Sequence, residues 1–206
     1  ETVTTIGTLS SNGNKWYGGV LAPNGCIYGI PFTSTNILKI DPSTDDITTF
    51  ENLAETSKWW GGILAPNGCI YGIPFRASTI LKIDPSTTPE TVNTIGSLSS
   101  GGNKWVGGVL APNGCIYGIP YNSTTILKID TSTTPETITT IGSLSSNSAK
   151  WIGGVLAPNG CIYGIPSYST TILKIDPSTT PETVTTIGTL SSNGNKWYGG
   201  VLAPNG

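Results

Sequence analysis

The sequence contains no histidine and no methionine, and only 11% of its 206 residues are charged. Without imidazole the chain cannot assemble a Ser-His-Asp triad, a Cys-His pair or a histidine metal site. Its 10 basic and 12 acidic residues leave a net charge of −2 with no run of either sign, so no segment offers the basic track that nucleic acid or an anionic membrane attracts. No apolar stretch approaches the roughly 20 residues of a membrane helix. The missing methionine at Glu1 and the lack of a signal segment describe a mature or partial chain.

What is present is turn chemistry and repetition. The 27 glycines and 15 prolines describe a turn-rich all-β protein. The stretch Trp16 to Pro31, WYGGVLAPNGCIYGIP, recurs at Trp59 to Pro74, Trp105 to Pro120 and Trp151 to Pro166, and a further copy starts at Trp197. Measured on Ala22, Ala65, Ala111, Ala157 and Ala203 the spacings are 43, 46, 46 and 46 residues, a period shared by propeller blades and two-helix solenoids. The glycine pairs and the prolines exclude the helical option, since each costs about 1 or about 3 kcal/mol inside a helix.

Each unit predicts four strands. Gly18 to Ala22 is a short apolar run, Ala22-Pro23-Asn24-Gly25 is a turn in which Gly takes the positive φ, and Cys26 to Ile30 is a second, branched and aromatic run. Ile37 to Asp41 recurs at Ile80, Ile126 and Ile172. Leu and the second Ile alternate there with Lys and Asp, which predicts one buried and one wet face. An Asp-Pro-Ser-Thr turn follows, and the Thr-rich segment from Glu90 to Ile95, with relatives at Glu136 and Glu182, reads as a polar outer strand. Small residues on the first strand and polar ones on the fourth are the pattern of an all-β, β-propeller-like array of four-stranded antiparallel blades. The expected organisation is one domain over 1–206, with units at about 16–58, 59–104, 105–150 and 151–196 and partial units at 1–15 and 197–206.

GGVLAPNGCIYGIP followed by ILKIDPST resembles the first three strands of NHL-type blades, and more closely the W-x-GGVLAPNG-x-IYGIP tandem repeats of uncharacterised protist and algal proteins. The resemblance spans the chain and implies the fold. It implies nothing about activity, because propellers host unrelated functions.

Residues 1 to 25 are identical to residues 182 to 206. The ends then hold a fourth strand and a first strand, with the second and third lacking, so the expectation is a segment of a longer array or a subunit completed by neighbours. The first unit is three residues shorter and carries Asp45-Asp46 in place of Thr-Thr-Pro-Glu, and the aromatic that follows it is doubled at Trp59-Trp60. Between the second and third strands the units also diverge, at Phe32, Phe75, Tyr121 and Ser167, on one common face.

Carboxylates are absent from the first strands, so a channel lined by them would hold Gly, Val, Leu and Ala. No catalytic residue, metal site or cofactor is expected. Cys26, Cys69, Cys115 and Cys161 occupy equivalent positions on stacked sheets about 10 Å apart, beyond the roughly 7 Å reach of a disulfide. They read as four free buried thiols. Trp16, Trp59, Trp105, Trp151 and Trp197 each follow a lysine. As ligand-binding candidates, with Tyr121, they would be platforms for sugar rings; as packing residues they would wedge between units with Lys along the ring, and a residue present in every unit favours packing. Asn122-Ser123-Thr124 is a glycosylation sequon in a loop. The expected function is a non-catalytic structural or interaction module, extracellular or at the cell surface, that self-associates or meets neighbouring repeats, with a lectin-like glycan binder as the alternative.

Overall fold

The computed structural model describes residues 2–9, 13–54 and 58–204. The outermost residues of both partial units lie outside them. Four antiparallel sheets follow one another, each with its strands in sequence order. The first holds β1 (Trp16–Leu21), β2 (Ile27–Pro31), β3 (Ile37–Asp41) and β4 (Asp46–Phe50). The second holds β5 (Trp59–Leu64), β6 (Ile70–Pro74), β7 (Ile80–Asp84) and β8 (Thr91–Ile95). The third comprises β9 (Trp105–Leu110), β10 (Cys115–Pro120), β11 (Ile126–Asp130) and β12 (Thr137–Ile141), and the fourth β13 (Trp151–Leu156), β14 (Ile162–Pro166), β15 (Ile172–Asp176) and β16 (Thr183–Ile187). The fold is the all-β array of four-stranded blades that the repeat predicts.

The turns form as their residues dictate. Gly25 sits at φ 82° and its N–H donates to the Ala22 carbonyl at 3.0 Å, while Asn24 Oδ1 accepts from the Cys26 N–H at 3.1 Å. After β3, Asp41 Oδ1 accepts from the Ser43 N–H at 2.9 Å and from its hydroxyl at 2.6 Å, and these two bonds hold the carboxyl below its usual range. In the first unit Asp41 pairs with Asp46, leaving four turn residues (42–45), whereas Asp84 pairs with Thr91 across six (85–90). Asp45 takes the left-handed conformation, φ 60°, that closes the shorter hairpin.

The glycine pair of each first strand has two separate jobs. Gly18, Gly61, Gly107 and Gly153 have φ between 68° and 79° and sit where the pairing of first and second strands slips by a bulge. They also mark the close approach of successive units, since a Cβ on Gly18 would lie 3.3 Å from Gly61 Cα. The second glycine admits a side chain from the preceding unit: a Cβ on Gly62 would lie 2.7 Å from Ile30 Cδ1, and one on Gly108 2.8 Å from Ile73 Cδ1.

Accordingly β1 abuts β5, β5 abuts β9 and β9 abuts β13, and the cores lie between sheets. Tyr28, Ile30 and Ile37 pack against Trp59, Ile70, Leu81 and Ile83 of the next unit, and two equivalent clusters fill the next two junctions. Here the structure corrects one expectation. The Lys face of the third strand is not wet: Leu81 and Ile83 face the preceding unit, while Ile80 and Lys82 face the following one. A sheet stacked on both faces has no solvent side, so its lysine needs a partner. The four cysteines are free and buried.

Candidate functional site

That partner is a glutamate of the next unit. Glu90, placed by the Thr-Thr-Pro-Glu turn before β8, reaches back to the first unit. There its Oε1 accepts from the Tyr28 hydroxyl at 2.9 Å and from Lys39 Nζ. Asn24 Nδ2 donates to the same tyrosine oxygen at 2.8 Å and to the Pro85 carbonyl of the second unit at 3.1 Å. The arrangement repeats in Asn67, Tyr71, Lys82 and Glu136, with Tyr71 donating to the carboxylate at 2.7 Å, and again in Asn113, Tyr117, Lys128 and Glu182. Each junction is thus a chain in which Asn donates to Tyr, Tyr donates to Glu, and Lys supplies the opposing charge.

The electrostatics follow from burial and contact. Burial raises the Glu136 carboxyl, but the bonds from Lys82, Tyr71 and its own backbone amide outweigh it and hold the carboxyl below its usual range. Lys82 is raised, chiefly by the Glu136 bond against the cost of burial. Burial pushes the Tyr28 hydroxyl up to about 12, with the Asn24 bond opposing and Glu90 adding to the rise. Buried Tyr71 and Tyr117 shift in the same direction.

Sequence reasoning missed this site because it gave each member another role: Asn to its turn, Tyr to the aromatic second strand, Lys to a wet face and Glu to an outer strand. The available signal was the matched recurrence of Asn, Tyr, Lys and Glu, with Glu missing from the first unit alone.

The tryptophans are not brought together: Trp59, Trp105 and Trp151 each pack into the cluster between their own unit and the preceding one. Trp16, Trp59, Trp105 and Trp151 donate from Nε1 to the carbonyls of Asn36, Thr79, Thr125 and Thr171 at 2.8–2.9 Å, tying the first strand to the loop before the third. Lys15, Lys58 and Lys150 lie over the rings of the following tryptophans at 5.6–6.0 Å. The rings of Trp59, Trp105 and Trp151 are only 2–3% exposed and present no face to a sugar; Trp197 is half exposed. Burial lowers the Lys150 amine to about 8, and its Nζ donates to the Asn147 carbonyl at 2.8 Å.

The divergent positions do meet. Tyr17 stacks on Trp60 at 4.1 Å, Phe32 packs against both, Phe75 lies 5.0 Å from Trp60, and Tyr121 continues the row 6.1 Å from Phe75. Burial raises the Tyr121 hydroxyl, with Tyr198 and Tyr168 close enough to add to it. Asn122 is half-buried beside this row and its Oδ1 accepts from the Ala149 N–H at 2.7 Å. Among the described residues no three Cys, Asp or Glu side chains converge as a metal site would require.

Residues 65–206 match the family model described as a repeat of unknown function (DUF6923). The chain belongs to this repeat family. No curated protein sequence matches it significantly. Among solved structures, a catalytically inactive virginiamycin B lyase from Staphylococcus aureus, in complex with quinupristin, is similar with a TM-score of 0.68 at 17% identity, over 86% of this chain and 57% of that one. An auxiliary nutrient binding protein from Bacteroides ovatus gives a TM-score of 0.61 at 15% identity, over 95% and 53%. A functionally unknown protein from Desulfotomaculum acetoxidans gives 0.60 at 14%, over 87% and 57%. At these identities the likeness is one of fold, propeller-like blades in series, and the chain spans little more than half of each of these proteins.

Proposed function

We propose that the chain is a non-catalytic interaction module, built from blades of the NHL kind, whose units join face to face within a larger extracellular or cell-surface assembly. The observation that carries this reading is the Asn-Tyr-Glu-Lys junction, present three times with the same partners. It takes up the Glu residues, the buried Tyr hydroxyls and the third-strand lysines of successive units in holding one unit to the next. Identical faces presented in series are the geometry of an array, in which each unit is stabilised chiefly by its neighbours. The hydroxyl-rich fourth strands and the sequon at Asn122 support an exterior setting.

Electron microscopy of the protein isolated from its source tests the reading. Filaments, or rows of joined discs, are expected. Isolated closed discs would overturn it, and a glycan array on those discs would then decide for or against a carbohydrate-binding role. Treatment with an N-glycosidase is expected to reduce the mass of the natural protein at Asn122; an unmodified Asn122 removes that support for an exterior location.

A further inference from the structure

Among the described residues three of the four tyrosine-lysine pairs hold a glutamate, and the fourth does not. In the last unit Asn159 Nδ2 donates to the Tyr163 hydroxyl at 3.0 Å, as its counterparts do. Lys174 on β15 is paired with Tyr163 on β14 in the same register as Lys82 with Tyr71 and Lys128 with Tyr117. Among the described residues no carboxylate pairs with Lys174 or accepts from Tyr163. We propose that Asn159, Tyr163 and Lys174 form a carboxylate socket whose occupant is the Thr-Pro-Glu loop of a further repeat.

The three occupied sockets define the ligand. Each takes one carboxylate oxygen between a tyrosine hydroxyl and a lysine ammonium, and each asparagine also grips a backbone carbonyl in the turn that presents the glutamate: Pro85, Thr131 or Pro177. A lone carboxylate satisfies only half of this pattern, so the site is selective for the loop. It is selective among repeats as well. A unit of the first type turns through Asp45 in a hairpin two residues shorter and carries no glutamate there, so it cannot fill the socket. The socket therefore reads which kind of repeat follows. This inference rests on the reading of the chain as an array module.

The test extends the full chain after Gly206 with either of two second-to-fourth-strand segments from its own sequence: residues 115–150, which carry Glu136, or residues 26–58, which carry no such glutamate. In the first extension, Lys174→Met and Glu136→Gln in the appended copy are each expected to lower the thermal midpoint by about 4–8 °C, and together no further than either alone. In the second extension Lys174→Met is expected to change nothing. Additive losses, or an equal loss in both extensions, would overturn the proposal. On the unextended chain, a capped peptide of residues 178–187 is expected to shift the Asn159 side-chain amide resonance saturably, with binding at least about tenfold weaker when Glu182 is replaced by Gln. Equal binding of the two peptides, or of acetate, or no saturable shift, would overturn it. Filaments seen alongside an additive cycle would leave the array standing and remove the socket; a coupled cycle without filaments would do the reverse.

Discussion

Replacing Glu136 by Gln removes a charge from the centre of a junction without changing its shape. The glutamate side chain is 9% exposed and that of Lys82 26%, so the pair lies between a surface ion pair and a buried one. Exposed pairs contribute up to about 1 kcal/mol, and breaking a buried one costs about 3–5 kcal/mol. Lys82 keeps partial access to water, which places the loss near 2 kcal/mol. The amide oxygen can still accept from both Tyr71 and Lys82, so what is lost is the negative charge opposite the lysine. For a chain of this length that corresponds to a fall of about 4–8 °C in thermal midpoint. Urea unfolding of the single and double variants with Lys82→Met should give a coupling energy of about 1–2 kcal/mol.

The pH dependence supplies an independent check. Glu136, Glu90 and Glu182 all have carboxyls held below their usual range in the folded chain. Their contribution is therefore complete above the unfolded value near 4.5 and is lost as pH falls through the lower folded values. The difference between wild type and Glu136→Gln should shrink on acidification below that point. At the alkaline end Tyr28, raised to about 12, and the raised Lys82 contribute below the ordinary values of 10.0 and 10.5 and lose that contribution as pH rises through the folded ones. A Glu136→Gln chain within 0.5 kcal/mol of wild type, or an unchanged acid limb, would refute the argument.

Gly62→Ala should cost about 1–3 kcal/mol, because its Cβ would meet Ile30 Cδ1 at 2.7 Å and Cγ1 at 2.8 Å; Ile30→Val, which deletes Cδ1, should recover part of the loss in urea unfolding. Trp60→Val, which gives the second unit the residue found at Val106, should cost about 2 kcal/mol and abolish the near-ultraviolet circular dichroism of the Tyr17 stack. The Lys150 amine, followed by NMR of lysine-labelled protein, should titrate near 8; a midpoint of 10 or above would mean that the Trp151 face and the Asn147 carbonyl offset its burial.

Most of the fold was legible because its determinants are local. Ala-Pro-Asn-Gly specifies its turn by φ preference, Asp-Pro-Ser-Thr by a side chain bonding its own backbone, and the period is read by counting. The junctions were not legible, because alternation along Ile-Leu-Lys-Ile-Asp says which residues share a face and not what that face meets. A strand with one wet side and a strand stacked on both sides write the same pattern when the second face contains a lysine that is neutralised from about 50 residues away. The same limit applied to Trp59 and Trp105: sequence supplied the ring and the neighbouring lysine, while burial and the bonds to Thr79 and Thr125 came from packing.

The residues that repeat and the residues that differ are spent on different tasks. Gly62, Tyr71, Lys82 and Glu136 recur because each completes a contact with an adjacent unit, and a substitution in one unit would leave a buried group unmatched in the next. Positions free of that constraint can differ, yet they do not scatter: Tyr17, Phe32, Trp60, Phe75 and Tyr121 form one continuous row, dense in the first two units and thinning at Val106 and Ile152. The second ring of the doubled Trp59-Trp60 has a place in this row: Trp60 touches Tyr17 and Phe32 across the first junction and Phe75 within its own unit. The first unit, on the other side of that junction, is the one without a glutamate to offer. The first blade thus differs twice from the third and fourth: it carries Tyr17, stacked on Trp60 of the next blade, where they carry Val106 and Ile152, and it has no glutamate where they carry Glu136 and Glu182.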